Sequence, residues 1–471
     1  MRCTKILATL GPATQGREAV RALVSAGANA FRLNFSHGTA AEHEAAVADI
    51  RAVEAEHGRP LAILGDLQGP KIRCGRFLDP AGVELVDGQN WQLDKSAEPG
   101  DGTRCGVTLP TLLEELPVGT RVLVKDGLVE LRVEARGTDA LQCRVINGGR
   151  VTPGAGLNIP EVDLSVPALD DKDLRDLSLA ARLGLDWIAL SFVRQPQDML
   201  EARAAMRLLG CKARLMAKIE KPSAVTSFEE LLPLCDGVMV ARGDLGVELS
   251  VQQVPVVQRR LVRRCVEEAL PVVVATQMLE SMVHNPRPTR AEASDVANAI
   301  FDGADVVMLS AETAIGAYPA ATVATMASIA ETVESSTDFA AQLWRFDDIA
   351  EPAIDAAVCH SAARLAQILP ARVIAAYTMT GSTARRVARH RPGATIAAYT
   401  PALSTARQLQ LSWGVRPFVV GPRADHEVLV GEARTRLQEI GLLAPGDAVV
   451  VTAGLPIGQA GRTNLLRVER V

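Results

Sequence analysis

Two apolar runs in the middle of the chain each end in charged residues. The run Leu215–Ile219 contains Lys218 and is followed by Glu220, and the run Val238–Ala241 is shortly followed by Asp244. Such runs are typical of strands that are buried on both faces. If the strands are parallel neighbours, two carboxylates beside an ammonium could hold a hard divalent cation for an anionic substrate. Two strand ends with solvated charges are the alternative.

Strands and helices alternate on both sides of this pair. Three strands precede Pro70 and five follow Val166, and eight strands that alternate with helices predict an α/β fold of the (β/α)8 TIM barrel type. We expect residues 1–69 and 167–345 to form this catalytic barrel. Short alternating runs with recurrent Gly and Pro predict that residues 70–166 form an inserted small β-barrel lid domain. Residues 346–471 alternate again and predict an open α/β regulatory domain.

Composition limits the classes of function. The chain has 471 residues, 48% of them hydrophobic and only 3% aromatic, and its formal net charge of -5 argues against nucleic acid as a partner. None of the eight cysteines has a CxxC or zinc-type spacing, so we expect free thiols in a reducing compartment. The N-terminus does not resemble a signal peptide, and no apolar run is long enough to span a membrane. We therefore expect a cytoplasmic protein without a membrane partner.

Polar residues lie at the carboxyl ends of six of the eight predicted strands, where (β/α)8 barrels carry their active sites. The amino ends consist mostly of Gly, Ala and Pro, whereas a merely solvated rim would carry charge at both ends. The joint pattern therefore favours a functional site. These residues are Arg32, Asn34, Ser36, Asp66, Lys218, Glu220, Asp244, Thr276, Ser310 and Glu312.

Six segments in order resemble the pyruvate kinase family. They are FRLNFSHG at 31–38, GDLQGPKIR at 65–73, AKIEKP at 217–222, MVARGDLGVE at 239–248, ATQMLESM at 275–282 and RPTRAEASDVANAIFDGADVVMLSAETAIGAYP at 287–319. The resemblance runs from about Thr4 to the C-terminus. It implies phosphoryl transfer from phosphoenolpyruvate to ADP, which gives pyruvate and ATP as the last step of glycolysis. The family is usually tetrameric, so a homotetramer is expected.

The resemblance also implies roles for the charged residues. Glu220 and Asp244 would hold Mg2+ or Mn2+, and Lys218 would contact the moving phosphoryl group and the developing enolate. An ion pair between Lys218 and Glu220 is compatible with that role. Arg32 would bind the phosphoryl oxygens, since a guanidinium offers a planar set of donors.

The polar backbone and the hydroxyls complete the expected substrate site. The N–H groups of Gly243 and Asp244 begin a short helical turn and would bind the substrate carboxylate. Thr276 would take part in protonating the enolate, with Ser310 as a possible relay, because a hydroxyl can act only within a chain of proton carriers. Glu312 is expected to orient its neighbours.

Nucleotide binding is expected at a second group of residues. Arg73 would bind the nucleotide phosphates, and Asn34, His37 and Lys172 would complete the site. For His37, a plain surface histidine is the alternative.

One departure from the family pattern concerns potassium. Potassium-dependent members usually have Thr after the aspartate of the third strand and Glu four residues after that Thr, but this chain has Leu67 and Lys71. Leu67 offers no side-chain oxygen, and Lys71 places an ammonium near the cation position. We hypothesise that Lys71 replaces K+ with Asn34, Ser36 and Asp66 as hydrogen-bond partners, so K+ is not expected to be required. A surface lysine beside a proline turn is the alternative.

The segment TMTGSTARRVARHRP at 378–392 matches the loop that binds phosphorylated effectors in the family. A Gly-Ser-Thr turn before a helix is a generic anion site, and a sugar phosphate or AMP is the expected ligand. The alternative is a solvated basic helix. A Gly-rich loop at 454–464 could close over the site. The effector residues would be Thr378, Thr380, Gly381, Ser382 and Thr383.

Two other functions would account for part of this pattern. Another Mg-dependent barrel enzyme of oxoacids, such as an aldolase or lyase, would account for Arg32, Glu220 and Asp244 but not for the inserted domain with Arg73. A catalytically silent metabolite sensor would account for the C-terminal loop but not for an intact Lys218.

Overall fold

Eight parallel strands form a closed barrel in the computed structural model, which describes residues 2–160, 162, 165–339, 353–421, 426–456 and 461–471. Their order around the barrel is β1-β16-β15-β14-β13-β12-β3-β2. The strands are β1 (Lys5–Thr9), β2 (Ala30–Asn34), β3 (Ala62–Asp66), β12 (Trp187–Leu190), β13 (Arg214–Ile219), β14 (Gly237–Ala241), β15 (Val272–Ala275) and β16 (Val306–Leu309). The predicted barrel is therefore confirmed, with three strands before the insertion and five after it.

Helices cover the outside of the barrel. Several begin at a side-chain cap: Thr39 accepts from Glu42 N, and Thr289 accepts from Glu292 N. These helices are α1 (Arg17–Ala26), α2 (Ala40–His57), α4 (Asp171–Leu183), α5 (Pro196–Leu208), α6 (Pro222–Thr226), α7 (Phe228–Leu231), α8 (Arg242–Glu248), α9 (Val254–Glu267), α10 (Arg290–Asp302), α11 (Ala311–Ala314) and α12 (Pro319–Glu334).

Alternate residues of the same strands serve two different cores. Ile6 and Ala8 of β1 pack outward against the helices, whereas Leu7 belongs to the cluster inside the barrel. Few aromatic side chains are available, so Trp187 and methionines such as Met216 fill the interior. This double burial explains why the strands read as continuous apolar runs.

The inserted residues build a separate β unit with its own core around Trp91. The two edges of its sheet approach each other. Beside one edge Arg73 forms an isolated bridge to Gly156, and beside the other Cys74 forms an isolated bridge to Val107. The pairing is mainly antiparallel, but β5 and β6 are parallel. The sheet order is β11-β7-β8-β9-β5-β6, with β10-β4 as a separate pair. The elements are β4 (Val83–Leu85), β5 (Asn90–Asp94), β6 (Arg104–Gly106), α3 (Leu112–Glu115), β7 (Arg121–Val124), β8 (Val129–Arg136), β9 (Ala140–Asn147), β10 (Gly149–Val151) and β11 (Leu157–Asn158).

The C-terminal α/β unit has five strands in the order β19-β18-β17-β20-β21. β21 pairs antiparallel with β20 at the edge of this sheet, whereas the other neighbouring strands are parallel. The expected boundary at 345/346 and residues 457–460 of the Gly-rich loop lie outside the described residues. The elements are α13 (Ile354–Ile368), β17 (Val373–Tyr377), α14 (Ser382–Ala388), β18 (Thr395–Thr400), α15 (Leu403–Gln408), β19 (Val415–Val419), α16 (His426–Glu439), β20 (Ala448–Gly454) and β21 (Thr463–Arg470).

The amino ends of the barrel strands carry more charge than the sequence analysis held, and that expectation was wrong. Lys5 and Arg214 begin β1 and β13, and Asp305 immediately precedes β16. Their partners lie in the C-terminal unit: Lys5 Nζ donates to Val415 O (2.7 Å), and Asp305 Oδ1 lies 3.0 Å from Arg391 Nη1. Charge at this end therefore fastens the C-terminal unit to the barrel.

In the part of the chain that the structure describes, no helix combines the length and apolar character that crossing a membrane demands.

Candidate active site

Lys218 occupies the centre of the carboxyl end of the barrel. Its Nζ donates to Ser191 Oγ (2.6 Å) and lies 2.9 Å from Glu220 Oε1 and 3.2 Å from Asp66 Oδ1. The lysine and both carboxylates are almost completely buried. Burial alone would lower the pKa of the Lys218 ammonium, but Asp66 and Glu220 outweigh it and raise that pKa. The two carboxylates therefore favour the charged form of Lys218 in a site away from bulk water.

Arg32 adds a second cation next to this lysine. Its Nε donates to Asp66 Oδ2 (2.7 Å), and its Nη1 donates to Thr9 Oγ1 (3.3 Å). Burial would raise the pKa of the Asp66 carboxyl, but Lys218 and Arg32 keep that pKa below its ordinary value. Asp66 thus aligns two cations on one surface that can receive an anion.

The sequence analysis missed Thr9 and Ser191. Thr9 is the last residue of β1 and Ser191 directly follows β12, and these are the two barrel strands for which no site residue was named. Ser191 Oγ donates to Leu67 O (2.7 Å) while it accepts from Lys218. The same rule, applied to all eight strand ends, would have found both hydroxyls.

Glu220 and Asp244 fit a hard divalent cation. Glu220 Oε2 accepts from Phe192 N (2.7 Å), and its buried Oε1 lies 2.9 Å from the Lys218 ammonium. Burial first, and then the charge of Asp244, raise the pKa of Glu220 to about 7, although Lys218 opposes them. A divalent cation would offset the burial of the charged Glu220 carboxylate and its repulsion by Asp244. Mg2+ usually takes one or two carboxylate ligands from a protein.

The protein alone does not provide a closed metal cage here. No group of three or more His, Cys, Asp or Glu side chains within the described ranges is arranged to hold a metal ion. Substrate oxygens or water would have to supply the remaining ligands, which is common for Mg2+ in phosphate chemistry.

Thr276 has an unusual backbone conformation. Its φ of 72° lies in the left-handed region, which is costly for a β-branched residue. Its Oγ1 accepts from Gly243 N (2.7 Å) and donates to Ala275 O (2.5 Å). Arg242 Nη2 fixes the same turn by donating to Thr276 O (2.7 Å). The Gly243 N–H is consequently engaged by Thr276, and it can bind a carboxylate only if Thr276 releases it.

Ser310 and Glu312 lie at the end of β16. Ser310 Oγ is buried and has no hydrogen-bond partner among the described residues. Glu312 is fully buried and accepts from Ser310 N (2.6 Å) and Leu279 N (3.1 Å). Glu312 therefore orients two backbone segments, while the Ser310 hydroxyl keeps its hydrogen-bonding capacity for another group.

The residues expected to bind nucleotide surround the exposed His37. After burial, the charges that lower the pKa of His37 are those of Arg73, Lys71, Arg32 and Lys172, in that order. His37 N donates to the backbone of Asn34, whose side chain accepts from Ser36 N (3.1 Å).

Arg73 and Lys172 each bond to a backbone carbonyl near this cationic surface. Arg73 Nη1 donates to Gly154 O (3.0 Å) in the inserted β unit, and Lys172 Nζ donates to Phe35 O (2.5 Å). The arrangement can receive a second polyanion beside Lys218.

Comparison with known proteins decides the family. The family model described as pyruvate kinase, barrel domain, matches residues 1–323, and the model described as pyruvate kinase, alpha/beta domain, matches residues 356–469. The chain belongs to the pyruvate kinase family. It is 46% identical over 473 residues to "Pyruvate kinase 2" of Synechocystis sp., which covers all of this chain and 79% of that protein. It is 42% identical to "Pyruvate kinase" of Mycobacterium tuberculosis, with 99% of this chain and 98% of that protein covered, and 44% identical to "Pyruvate kinase" of Agrobacterium vitis, with 100% and 97% covered.

Leu67 and Lys71, the two departures from the potassium-dependent pattern, differ in their surroundings. Leu67 is buried in the apolar core, and the Lys71 ammonium forms no hydrogen bond or ion pair with a described residue. The expected bonds from Lys71 to Asn34, Ser36 and Asp66 are thus not formed here. Asp66 is instead taken by Arg32, Lys218 and Ser191.

The loop matching the family's effector loop folds into a tight turn. Gly381 has a φ of 84° and donates its N–H to Thr378 Oγ1 (2.9 Å), Thr380 Oγ1 donates to Ser382 Oγ (3.4 Å), and Thr383 Oγ1 lies 2.8 Å from Thr463 Oγ1. Thr380 O also accepts from Arg214 Nη2 (2.6 Å). The loop therefore contacts the amino end of β13, the strand that carries Lys218 near its other end.

Glu248 was another residue that the sequence analysis missed. Its Oε1 accepts from Lys221 Nζ (2.7 Å) and from Asn158 Nδ2 (2.9 Å). Lys221 follows Glu220, Asn158 belongs to the inserted β unit, and Glu248 ends α8. One buried carboxylate thus joins the inserted unit to both segments that carry the candidate metal ligands.

Thr276→Gly should separate catalysis from stability. Glycine removes the hydroxyl but relaxes the left-handed backbone, so we expect a free energy of unfolding within about 1 kcal/mol of wild type. Pyruvate kinase activity should fall on the order of a hundredfold, the scale of a lost proton-transfer group. Chemical denaturation and steady-state rates measure the two quantities.

Thr276→Ser is the matched control, because it retains the hydroxyl and should retain most of the activity. Wild-type activity in Thr276→Gly would exclude a part for the hydroxyl in the reaction. A free energy of unfolding lower by several kcal/mol would contradict the expected relief of backbone strain.

Proposed function

We propose that this chain transfers the phosphoryl group of phosphoenolpyruvate to ADP, and that its buried Lys218 cluster performs the transfer. The observation that carries the proposal is the Lys218 ammonium held beside Asp66, Glu220 and Arg32 on the barrel rim. Phosphoryl transfer needs aligned positive charge more than covalent chemistry, and a dry site strengthens that charge.

Arg32 and Lys218 would bind the phosphoryl oxygens and neutralise the charge that develops during transfer. Asp66 occupies the Arg32 Nε, whereas the Arg32 Nη2 has no partner among the described residues and could reach a substrate oxygen. Lys218 would also stabilise the enolate oxygen that forms when the phosphoryl group leaves.

Glu220 and Asp244 would hold Mg2+ or Mn2+. When bound, this ion supplies a positive charge that substrate carboxylate and phosphoryl oxygens can share. The N–H groups of Gly243 and Asp244 would bind the substrate carboxylate once Thr276 releases Gly243.

Protonation of the enolate carbon would complete the reaction and give pyruvate. Thr276 and Ser310 would relay the proton, since neither hydroxyl is acidic enough to act alone. Support comes from the Ser310 hydroxyl, which is buried without a hydrogen-bond partner among the described residues. Arg73, Asn34, His37 and Lys172 would receive the phosphates of ADP.

A coupled assay with phosphoenolpyruvate, ADP and Mg2+ tests this function directly. Lys218→Met should lower kcat on the order of 10³-fold, because it removes the charge on the moving group. Lys212→Met, a change of an exposed lysine before the same strand, is the control and should not alter the rate. Circular dichroism must show that both variants are folded.

Absence of ATP formation at any metal or effector concentration would contradict the proposed reaction. The remaining explanations would then be an oxoacid reaction in the same barrel or a sensor without activity.

We further propose that the reaction does not require K+, because Lys71 supplies the positive charge in its place. The charge of Lys71 lowers the pKa of His37, which supports a position near the rim. Lys71 lies where the chain passes from β3 to the inserted unit, and bonds to Asn34, Ser36 and Asp66 would require the ammonium to change position.

Activity in KCl should equal activity in tetramethylammonium chloride at the same ionic strength. The double variant Leu67→Thr/Lys71→Glu should become K+-dependent. K+ should raise its rate roughly tenfold or more, which corresponds to about 1.4 kcal/mol of activation free energy. Lys71→Met controls for loss of the ammonium alone. A large K+-specific activation of the wild-type enzyme would contradict the proposal.

We also propose that a phosphorylated effector, a sugar phosphate or AMP, binds at the turn formed by Thr378, Thr380, Gly381, Ser382 and Thr383. Contact between Thr380 and Arg214 at the start of β13 supports a route to the active site. A bound effector would shift the position of that strand.

Titration of the effector should lower the phosphoenolpyruvate concentration for half-maximal rate by roughly fivefold or more, a common size for allosteric coupling. The double variant Thr380→Ala/Ser382→Ala should lose this response. Ser404→Ala, at an exposed serine nearby, should keep it. A response that survives in the double variant would locate the effector elsewhere.

Three further proposals concern the domain boundaries, the cellular location and the assembly of the chain. We propose a catalytic barrel of residues 1–69 and 167–345, a lid of residues 70–166 and a regulatory domain of residues 346–471. Separate apolar cores in the three parts support this division. All eight cysteines are free, which supports a reducing, cytoplasmic location. A homotetramer remains the expected assembly and can be checked by analytical ultracentrifugation.

A further inference from the structure

A two-residue turn follows strand β12 and contacts both Lys218 and Glu220. Ser191 Oγ accepts from Lys218 Nζ (2.6 Å), and Phe192 N donates to Glu220 Oε2 (2.7 Å). Ser191 is only 3% exposed, and Lys218 and Glu220 are also buried. One short turn between β12 and α5 therefore holds the ammonium and one of the candidate metal ligands.

The direction of the Ser191 hydroxyl is set by the segment that leaves strand β3. Its single proton is donated to Leu67 O (2.7 Å), while Asp66 Oδ1 is a more distant acceptor (3.3 Å). Because a hydroxyl has only one donor, this bond leaves its lone pairs available to Lys218. The backbone at Leu67 thus orients the oxygen that receives the ammonium proton.

Residues 67–69 pack closely on the same turn, at the point where the chain leaves the barrel for the inserted unit. Leu67 N donates to the backbone of β12 (3.0 Å). Gly69 is buried and has a φ of 68°, and a β-carbon at that position would lie 3.1 Å from both Ser191 Cβ and Phe192 Cδ2. The left-handed backbone and this close approach both favour glycine.

Phe192 also has a left-handed backbone, with a φ of 54°. This conformation is uncommon for a residue with a β-carbon and persists only where surrounding contacts hold it. Glu220 accepts its N–H, and Gly69 packs against its ring. The position of the turn therefore depends on residues 67–69 as well as on β12.

The contacts of the Lys218 ammonium match its three N–H groups in number. They are Ser191 Oγ at 2.6 Å, Glu220 Oε1 at 2.9 Å and Asp66 Oδ1 at 3.2 Å. The two carboxylates supply charge, whereas the neutral hydroxyl is the closest contact and adds a fixed direction. A substrate oxygen would take the place of one contact, and the remaining two would keep the ammonium in position.

We propose that Ser191 is a positioning residue for phosphoryl transfer, because its hydroxyl, oriented by Leu67 O, fixes the Lys218 ammonium in line with the moving group. This inference rests on the proposed function of the Lys218 site. It gives residues 67–69 a part in setting the geometry of that lysine. Misplacement of an aligned charge slows the chemical step more than it weakens substrate binding.

Ser191→Ala should lower kcat about tenfold or more and leave the KM for phosphoenolpyruvate within roughly twofold of wild type. The reason is that both carboxylates still attract Lys218, whereas the direction of its N–H groups is lost. Ser191→Thr retains the hydroxyl and should recover most of kcat. Steady-state rates with phosphoenolpyruvate, ADP and Mg2+ measure both quantities.

Thr322→Val is the control for loss of a buried hydroxyl away from the rim. Thr322 is fully buried, and its Oγ1 donates to a backbone oxygen, Tyr318 O (2.8 Å). This variant should leave kcat and KM unchanged. Wild-type kcat in Ser191→Ala would overturn the proposal, and so would an equally low kcat in a folded Ser191→Thr variant.

Gly69→Ala tests the connection to the residues that leave the barrel. Its methyl group would press on Ser191 and Phe192, so kcat should fall severalfold in the wild-type background. The loss should be smaller in the Ser191→Ala background, because both changes disturb the same contact. Gly58→Ala is the matched control: its φ of 62° imposes similar strain, but its β-carbon would meet nothing within 4 Å. Fully multiplicative losses in the double variant would contradict the connection.

The exchange of lysine ammonium protons with water provides a measurement that does not depend on turnover. NMR of the full chain with isotope-labelled lysine should show a slowly exchanging ammonium signal that is absent in Lys218→Met. Its exchange should be about tenfold faster or more in Ser191→Ala, since a bond from a charged donor is lost, and unchanged in Thr322→Val.

Equal exchange in wild type and Ser191→Ala would overturn the proposal, as would the absence of a protected Lys218 signal in wild type. A wild-type chain that forms no ATP would instead contradict the proposed function. The exchange rates would then still show whether Ser191 fixes Lys218.

Discussion

The arrangement of the barrel rim depends on a buried lysine that lies between two carboxylates. Removing an ammonium and two carboxylates from water is costly, and the cost is recovered only if each charge has a partner with good geometry. Asp66, Glu220 and Ser191 provide those partners for Lys218 from three neighbouring strands. The closed barrel keeps these strand ends at fixed separations, so the charges remain aligned before any substrate arrives.

The opposite end of the barrel uses buried charge for assembly. Asp305 joins Arg391 of the C-terminal unit, and Glu54 of α2 joins Arg407 (2.5 Å). Trp187, which fills the bottom of the barrel, donates its indole N–H to Gln408 O (3.2 Å). The same strands therefore begin at the C-terminal unit and end at the active site.

The inserted β unit is connected to the site through few, specific polar contacts. Glu248 binds both Asn158 of the insertion and Lys221 next to Glu220, and Asp173 accepts from Gly69 N (3.1 Å) where the chain leaves the barrel. Loss of a partner of the buried Glu248 carboxylate would leave an uncompensated charge, so these contacts fix the inserted unit to the barrel.

The amino-acid sequence by itself determined the barrel, the insertion and most of the rim residues. Strands buried on both faces must read as apolar runs, and the barrel places functional groups where those runs end, so Lys218, Glu220 and Asp244 could be found from local pattern. Tertiary structure alone decided which partners each charge has. The Gly243 N–H is taken by Thr276, Asp66 is shared by Arg32 and Lys218, and charged amino ends bind the C-terminal unit. These pairings join residues far apart in the chain, and no periodicity encodes them, because they depend on how the barrel closes and how the units pack.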